Sequence, residues 1–191
     1  MTNLYLLALL PPEDLSRQIH EIRLECAEKF GVQKSLKIPV HISLYRPFRV
    51  EEAFEKHLIR LLTSAASGLK AFEQTLENFE AFDMHAVVIH AKKNQGITAL
   101  HSAIASVFKK NEIDKLPPGN KNFPFRPHVS IAYRDILPEI FPQIWEEYKD
   151  RKFKRHFRVN HFSLLKHDET QWNLFKDFKL SDTVQQTELF D

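Results

Sequence analysis

The sequence predicts an α+β fold in which one unit occurs twice, giving two lobes of antiparallel sheet with outer helices. Residues 39–45 (PVHISLY) and 127–133 (PHVSIAY) both alternate apolar residues with a histidine and a serine, which is typical of a half-buried strand. The order strand, helix, strand, helix, strand occurs over residues 3–82 and again over 85–165. Such a duplication would place the two similar strands about a pseudo-two-fold axis, with their polar faces converging on a central cleft.

Length and composition bound the fold and its partners. The chain has 191 residues, of which 43% are hydrophobic and 12% aromatic, enough to build the core of one domain or of two small lobes. Its 27 basic and 25 acidic residues give a formal charge of +2, whereas a general nucleic-acid-binding surface is far more basic. Any contact with RNA or with a nucleotide is therefore expected to be local.

Two features bear on location. The single cysteine, Cys26, has no partner for an internal disulfide, which suits a reducing cytoplasm. The apolar run over residues 4–10 is too short to span a membrane, and its flanks, two prolines after it and no basic residue before it, differ from those of a secretory signal. We therefore expect a cytoplasmic protein without a membrane segment, in which residues 4–10 form the first strand.

The remaining elements of the first unit follow from apolar spacing and from turn residues. A helix that ends at Gly31 carries an apolar stripe formed by Leu15, Ile19, Ile22 and Cys26. The first histidine strand is expected to close at residues 46–48, and a second helix runs from near Glu51 to Gly68. Residues 72–82 are ambiguous, but their alternation favours a strand.

The second unit repeats this order. Its elements are a strand at residues 85–91, a helix at about 97–110, a turn sequence at 117–120, the second histidine strand and a helix at 138–148. Residues 157–165 and 172–180 then form a closing antiparallel pair. These strands complete a single bilobal domain over residues 1–180, and residues 181–191 form a polar tail.

The duplicated motifs offer two imidazoles and two hydroxyls. Imidazole titrates near pH 6.5, so near neutrality one histidine can act as a base while the other stays protonated. A base on one side of a phosphorus atom and an acid on the other fit in-line displacement at a phosphodiester. His41 and His128 are the candidate pair, and Ser43 and Ser130 would donate hydrogen bonds to the non-bridging phosphate oxygens.

These motifs, His41-Ile42-Ser43-Leu44 and His128-Val129-Ser130-Ile131, together with the opening sequence of residues 5–12 (YLLALLPP), resemble the 2H phosphoesterase superfamily. That superfamily includes the 2′-5′ RNA ligases and the 2′,3′-cyclic nucleotide phosphodiesterases. The resemblance implies phosphodiester chemistry without a metal or other cofactor, in a cleft between two lobes. It assigns catalysis to the two histidines and phosphate binding to the two serines, which stand where threonine is frequent in the family.

Three more residues are candidates for binding substrate. Arg126 lies two residues before His128 and is expected to contact a substrate phosphate. Tyr45 shares the face of His41 by parity, where it would either stack on a base or pack. Tyr133 matches a tyrosine in some cyclic phosphodiesterases of the family, although strict alternation would turn its side chain away from the cleft.

Other conspicuous residues have two interpretations. The remaining eight histidines lack the spacing of a zinc site and are interpreted as incidental; His85 and His90, for example, would face opposite ways on one strand. The basic run over residues 151–158 either contacts RNA phosphates or is a solvated strand edge. Phe123 and Phe125 either line the cleft or fill the core.

The function expected from these features is opening of a 2′,3′-cyclic phosphate or joining of RNA ends through a 2′-5′ linkage. The expected partners are RNA ends or cyclic nucleotides, with no obligatory protein partner. One alternative is a nucleotide- or RNA-binding module that has the cleft without turnover. Another is an unrelated α+β interaction protein in which both motifs are surface strands. The second alternative predicts that His41 and His128 lie far apart.

Overall fold

The computed structural model describes residues 1–114 and 124–182. Its elements, in chain order, are β1 (Thr2–Leu9), α1 (Glu13–Phe30), a 3-10 turn (Lys34–Lys37), β2 (Ile42–Glu51), a second 3-10 turn (Glu52–Phe54), α2 (Glu55–Ser67), β3 (Phe72–Phe82), β4 (Ala86–Ala91), α3 (Gln95–Lys110), β5 (His128–Tyr133), α4 (Phe141–Tyr148), β6 (Lys154–Val159), β7 (His161–His167) and β8 (Trp172–Lys179). The turn predicted at 117–120, Phe123 and residues 183–191 lie outside the described residues. None of the helices described is long and apolar enough to cross a membrane.

Within the described ranges, the strands form two four-stranded sheets, and all their pairings are antiparallel. The first sheet has the order β2-β1-β7-β8 and the second has the order β5-β4-β3-β6. Each histidine strand, β2 or β5, therefore lies at the edge of a sheet, beside the strand that opens its unit. This arrangement, with helices outside the sheets, confirms the predicted α+β fold.

The C-terminal strands depart from the prediction. Residues 157–165 do not form one strand, because β6 ends at Val159, β7 begins at His161, and the two belong to different sheets. β6 pairs with β3 in the second sheet, and β7 lies between β1 and β8 in the first. Each sheet thus takes strands from both halves of the sequence. Alternation indicates a strand but carries no information about the sheet that the strand joins.

Three predicted boundaries also shift. β2 continues to Glu51 instead of closing at residues 46–48, because Pro47 lies on an edge strand at a shift in the register with β1, where a missing N–H is tolerated. The following helix therefore begins at Glu55. Residues 138–140 form a turn, and α4 begins only at Phe141.

The helices join the two sheets into one core. α1 buries the predicted stripe of Leu15, Ile19, Ile22 and Cys26, and it ends where Gly31 adopts φ +73°, a left-handed conformation that favours glycine. α1 follows a strand of the first sheet but packs against β5 of the second, and α3 follows β4 but packs against β2. One apolar cluster therefore includes residues of both sheets, such as Leu7 and Ile89.

Candidate active site

The two histidine strands lie next to each other. β2 and β5 are edge strands of different sheets, and some of their Cα atoms lie within 8 Å of each other although the strands do not pair. His128 is the first residue of β5, whereas His41 immediately precedes β2 and is not part of the strand as predicted. The flanking Val40 and Ile42 are nonetheless buried, and His41 itself is partly buried. The interpretation as two unrelated surface strands does not fit this arrangement.

Both imidazoles are held by the same backbone contact. Nδ1 of His41 lies 2.8 Å from the carbonyl oxygen of Pro39, and Nδ1 of His128 lies 2.7 Å from that of Arg126. Because a carbonyl only accepts, Nδ1 carries the proton in each neutral ring, and the lone pair is on Nε2. In each motif the carbonyl belongs to the residue two positions before the histidine. The sequence duplication is therefore repeated in the orientation of the side chains.

The serines complete the two motifs. The Ser43 hydroxyl donates to Nε2 of His41 over 3.1 Å. Ser130 pairs with Val88 and His128 pairs with His90, two residues further along β4, so Ser130 and His128 share a face of the second sheet. Nε2 of His128 has no hydrogen-bond partner within residues 1–114 and 124–182.

The two rings differ in their electrostatic environment, and His128 acts on the pKa of His41. Burial, assisted by the nearby charges of Arg23 and His128, lowers the pKa of His41 to about 4. Burial also lowers the pKa of His128, where the neighbouring cation of Arg126 acts in the same direction and the carboxylate of Glu80 opposes it. Each ring thus has an arginine nearby, and of the two only His128 also has, among the described residues, a carboxylate that acts on its pKa, that of Glu80.

A β-bulge in each histidine strand overturns the parity argument for the tyrosines. Ser43 pairs with Ala8 while Tyr45 pairs with Leu7, which leaves Leu44 as an extra residue. The extra residue inverts the alternation, and Tyr45 turns to the core, where its ring lies 4.1 Å from that of Phe108. The prediction that Tyr45 shares the face of His41 is therefore wrong.

The same bulge occurs in the second motif. Ser130 pairs with Val88 while Ala132 pairs with Val87, so Ile131 is the extra residue. Tyr133 then pairs with Ala86 and lies on the face of Ser130, contrary to the expectation from strict alternation. The two bulges thus place Tyr133 on the face of its motif serine and Tyr45 on the face opposite to that of its own.

We expect the different faces of Tyr133 and Tyr45 to give different changes in kcat/KM when each hydroxyl is removed. Tyr133→Phe should lower kcat/KM by about three- to tenfold, because a hydroxyl on the site face is lost. Tyr45→Phe, the matched control on the core face, should leave kcat/KM within about twofold, and initial rates with a cyclic nucleotide measure both. A larger loss of kcat/KM in Tyr45→Phe than in Tyr133→Phe would contradict the assignment of the two tyrosines to their faces.

Arg126 belongs to a cluster that sequence reasoning missed. Its guanidinium donates to Glu80 over 2.6 Å and lies 4.0 Å from the centre of the Phe82 ring. Glu80 also contacts Nδ1 of His90 at 3.3 Å, and His128 packs edge-on against Phe82. His90, which the sequence suggested was incidental, pairs with His128 across the strands. The only sequence signal was that Glu80 and Phe82 share one parity in β3.

The other ambiguous residues lie elsewhere. Phe125 stacks on His101 of α3 with a ring separation of 3.9 Å, so it packs on the core rather than beside the histidine pair. Within the basic run, Arg151 pairs with Glu25 of α1 and Arg155 donates to Gln18. In the part of the chain that the structure describes, no group of three or more His, Cys, Asp or Glu side chains is arranged to hold a metal ion.

The fold and the site together define a class of protein, a two-lobed α+β protein with one histidine–serine motif at the edge of each sheet. The sequence model of the 2′-5′ RNA ligase superfamily matches residues 11–171, and the chain belongs to this superfamily. The resemblance to the 2H phosphoesterases drawn from the two motifs is thereby confirmed. No curated protein sequence matches the chain.

Solved structures share the fold. TT0787 of Thermus thermophilus is 17% identical, with a TM-score of 0.68 over 94% of this chain and 98% of that chain. Escherichia coli LigT complexed with 3′-AMP is 16% identical, with a TM-score of 0.65 over 95% and 100% of the two chains. Usb1 of Kluyveromyces marxianus is 15% identical, with a TM-score of 0.53 over 94% and 97%. At these identities the likeness is one of fold.

Proposed function

We propose that the protein opens 2′,3′-cyclic phosphates on RNA ends or small nucleotides, or joins RNA ends through a 2′-5′ linkage, by a paired-histidine mechanism. One observation carries this proposal: the imidazoles of His41 and His128, on adjacent sheet edges, are both anchored through Nδ1 and so offer Nε2 for proton transfer. Buried free Cys26 suits a cytoplasmic location, which we also propose.

In hydrolysis, a water oxygen attacks phosphorus while one imidazole Nε2 takes its proton. The bond from phosphorus to a ribose oxygen breaks, and the other imidazole gives its Nε2 proton to that oxygen. The hydroxyls of Ser43 and Ser130 donate to the non-bridging oxygens as negative charge develops there. In the joining of RNA ends, a hydroxyl oxygen of the second RNA end attacks phosphorus in place of water, the same bond from phosphorus to a ribose oxygen breaks, and the two imidazoles keep their roles.

The electrostatic difference between the two histidines supports a division of their roles. Burial, with the nearby cation of Arg23, favours neutral His41, and on this ground we assign it the role of the base in hydrolysis. Burial and the cation of Arg126 lower the pKa of His128, but Glu80 opposes them, and on this ground we assign His128 the role of the acid. A phosphate anion bound between the rings raises the pKa of both, so that His128 carries its proton in the complex.

The relatives support the choice of substrate class. LigT of Escherichia coli has been crystallised with 3′-AMP, with ATP and with NADP+, and the superfamily of this chain is named for RNA ligation. A nucleotide that carries a ribose phosphate is therefore the first substrate to test. A module that binds such nucleotides without turnover is the competing function, and the same experiment separates the two.

The test is a panel of 2′,3′-cyclic nucleotides, RNA with a cyclic phosphate end and 2′-5′ linked oligomers, followed across pH with and without a chelator. We expect turnover that the chelator does not change. The value of kcat/KM should peak on the acid side of neutrality, falling as pH drops toward 4, where His41 gains a proton. The value of kcat/KM should also fall on the alkaline side, beginning below pH 6.5. Because the pKa of His128 is lowered, the free enzyme loses the proton of its general acid in that range.

The bound state gives a second check. The alkaline limb of kcat should lie at higher pH than that of kcat/KM, because kcat reports the complex, in which the phosphate raises the pKa of His128. Nucleotide binding without turnover at any pH would favour the binding module. The absence of both nucleotide binding and turnover would refute both functions.

A further inference from the structure

Arg23 is a charged residue in the core. It lies in α1 with 0% of its surface exposed, among apolar neighbours on the same helix face, Ile19 and Cys26. Arginine is rarely buried without a partner, because removing the charge from water is costly. No carboxylate in the described ranges forms an ion pair with it, so its contacts are to the backbone.

Those contacts reach both histidine motifs. Nε of Arg23 donates to the carbonyl oxygen of Ser130 over 2.9 Å, and Nη1 donates to that of Ile38, also over 2.9 Å. Ser130 lies two residues after His128, and Ile38 directly precedes the residue whose carbonyl anchors Nδ1 of His41. One planar guanidinium therefore connects the backbone of the two lobes immediately beside the paired imidazoles.

The third nitrogen of the Arg23 guanidinium, Nη2, does not stabilise the fold. Nη2 of Arg23 is buried without a hydrogen-bond partner, which costs free energy that an apolar side chain would not cost. Burial lowers the pKa of Arg23 to about 10, opposed by the nearby Tyr133. Packing alone therefore does not favour an arginine at this position. Its distinguishing feature is the connection that it makes between the carbonyls of Ser130 and Ile38.

We propose that Arg23 is a positioning residue that holds the two histidine motifs at a fixed separation, so that both Nε2 atoms address one phosphorus atom. This inference rests on the proposed function. Because the carbonyls of Ile38 and Ser130 share one rigid fork, a shift of one motif relative to the other breaks a buried hydrogen bond. Misplacement of reacting groups by about 1 Å can cost a hundred-fold in rate.

The kinetic test compares Arg23→Met and Arg23→Lys with Arg17→Met. Arg17 is the matched control, an exposed arginine of the same helix that pairs with Glu13. We expect Arg23→Met to lower kcat by about a hundred-fold with KM within about threefold. Arg23→Lys should remain at least about tenfold low, because one ammonium does not replace the fork. Arg17→Met should match the wild type.

A second readout does not depend on turnover. Burial lowers the pKa of His41, the Pro39 carbonyl raises it, and Arg23 of α1 and His128 of β5 lower it further. In an NMR titration of the imidazoles we expect Arg23→Met to raise the pKa of His41 by about half a unit or more, since a nearby cation is lost. Arg23→Lys should keep this pKa near the wild-type value while kcat stays low, which separates geometry from charge.

These measurements distinguish a failure of the proposed function from a failure of the positioning role of Arg23. A wild-type protein without turnover on any substrate refutes the proposed function, and the titration still tests the position of Arg23 beside His41. Wild-type kcat in a folded Arg23→Met protein overturns the positioning role. If Arg23→Met does not fold, Arg23→Lys decides, because wild-type kcat in that variant also overturns the proposal.

Discussion

Alanine at His41 or at His128 is expected to lower kcat by about a thousand-fold in either variant, because each imidazole moves one of the two protons of the reaction. KM should change little, since phosphate binding is assigned mainly to the serines. Steady-state rates with a 2′,3′-cyclic nucleotide measure the effect. The double variant should be only slightly slower than the slower single variant, because the two groups act as a unit in one step.

The residual activity of each variant also tests the roles. His41→Ala should lose the acid limb of the kcat/KM profile, because the base that protonates there is gone. His128→Ala should lose the alkaline limb for the corresponding reason. His20→Ala is the control, since His20 lies exposed on α1. Full activity in either active-site variant would refute the acid–base pair, and exchanged limbs would reverse the assignment of acid and base.

Removal of one motif hydroxyl is also expected to have a large effect on turnover. Ser43→Ala or Ser130→Ala should lower kcat by about ten- to hundred-fold, the loss of one hydrogen bond to a charged oxygen in the transition state. The effect is smaller than for the histidines because proton transfer remains intact. Rates with a cyclic nucleotide, and the affinity for 3′-AMP as a product-like probe, separate transition-state effects from binding.

Conservative replacement sharpens this experiment. Ser43→Thr and Ser130→Thr should keep most of the activity, since threonine retains the hydroxyl and its β-branch restricts the rotamer. Ser64→Ala on the exposed side of α2 controls for loss of a serine hydroxyl as such. Equal activity in the alanine and threonine variants would show that the hydroxyls do not contact the phosphate.

The sequence was sufficient for the fold class and for the histidine pair because both depend on local patterns. Alternation marked β2 and β5, and the stripe of Leu15, Ile19 and Ile22 marked α1. Duplication then related the two motifs, because equivalent strands of a repeated unit take equivalent places. The superfamily followed from the same residues.

One further residue could have been found in this way. Arg23 lies four residues after Ile19, at a position of the apolar stripe, and a charge on a buried stripe is a signal in itself. Its two carbonyl partners in the histidine motifs were not predictable, because they come from segments far away in the chain.

Only the tertiary structure decided which strands share a sheet and which tyrosine lies on the face of its motif serine. β3 and β7 each join the sheet of the other half, because strand pairing is a choice between distant partners that alternation does not encode. The bulges at Leu44 and Ile131 exist only as a mismatch of register with the neighbouring strand. Local periodicity therefore determined the elements and the motifs, and long-range hydrogen bonding determined the direction of the side chains around them.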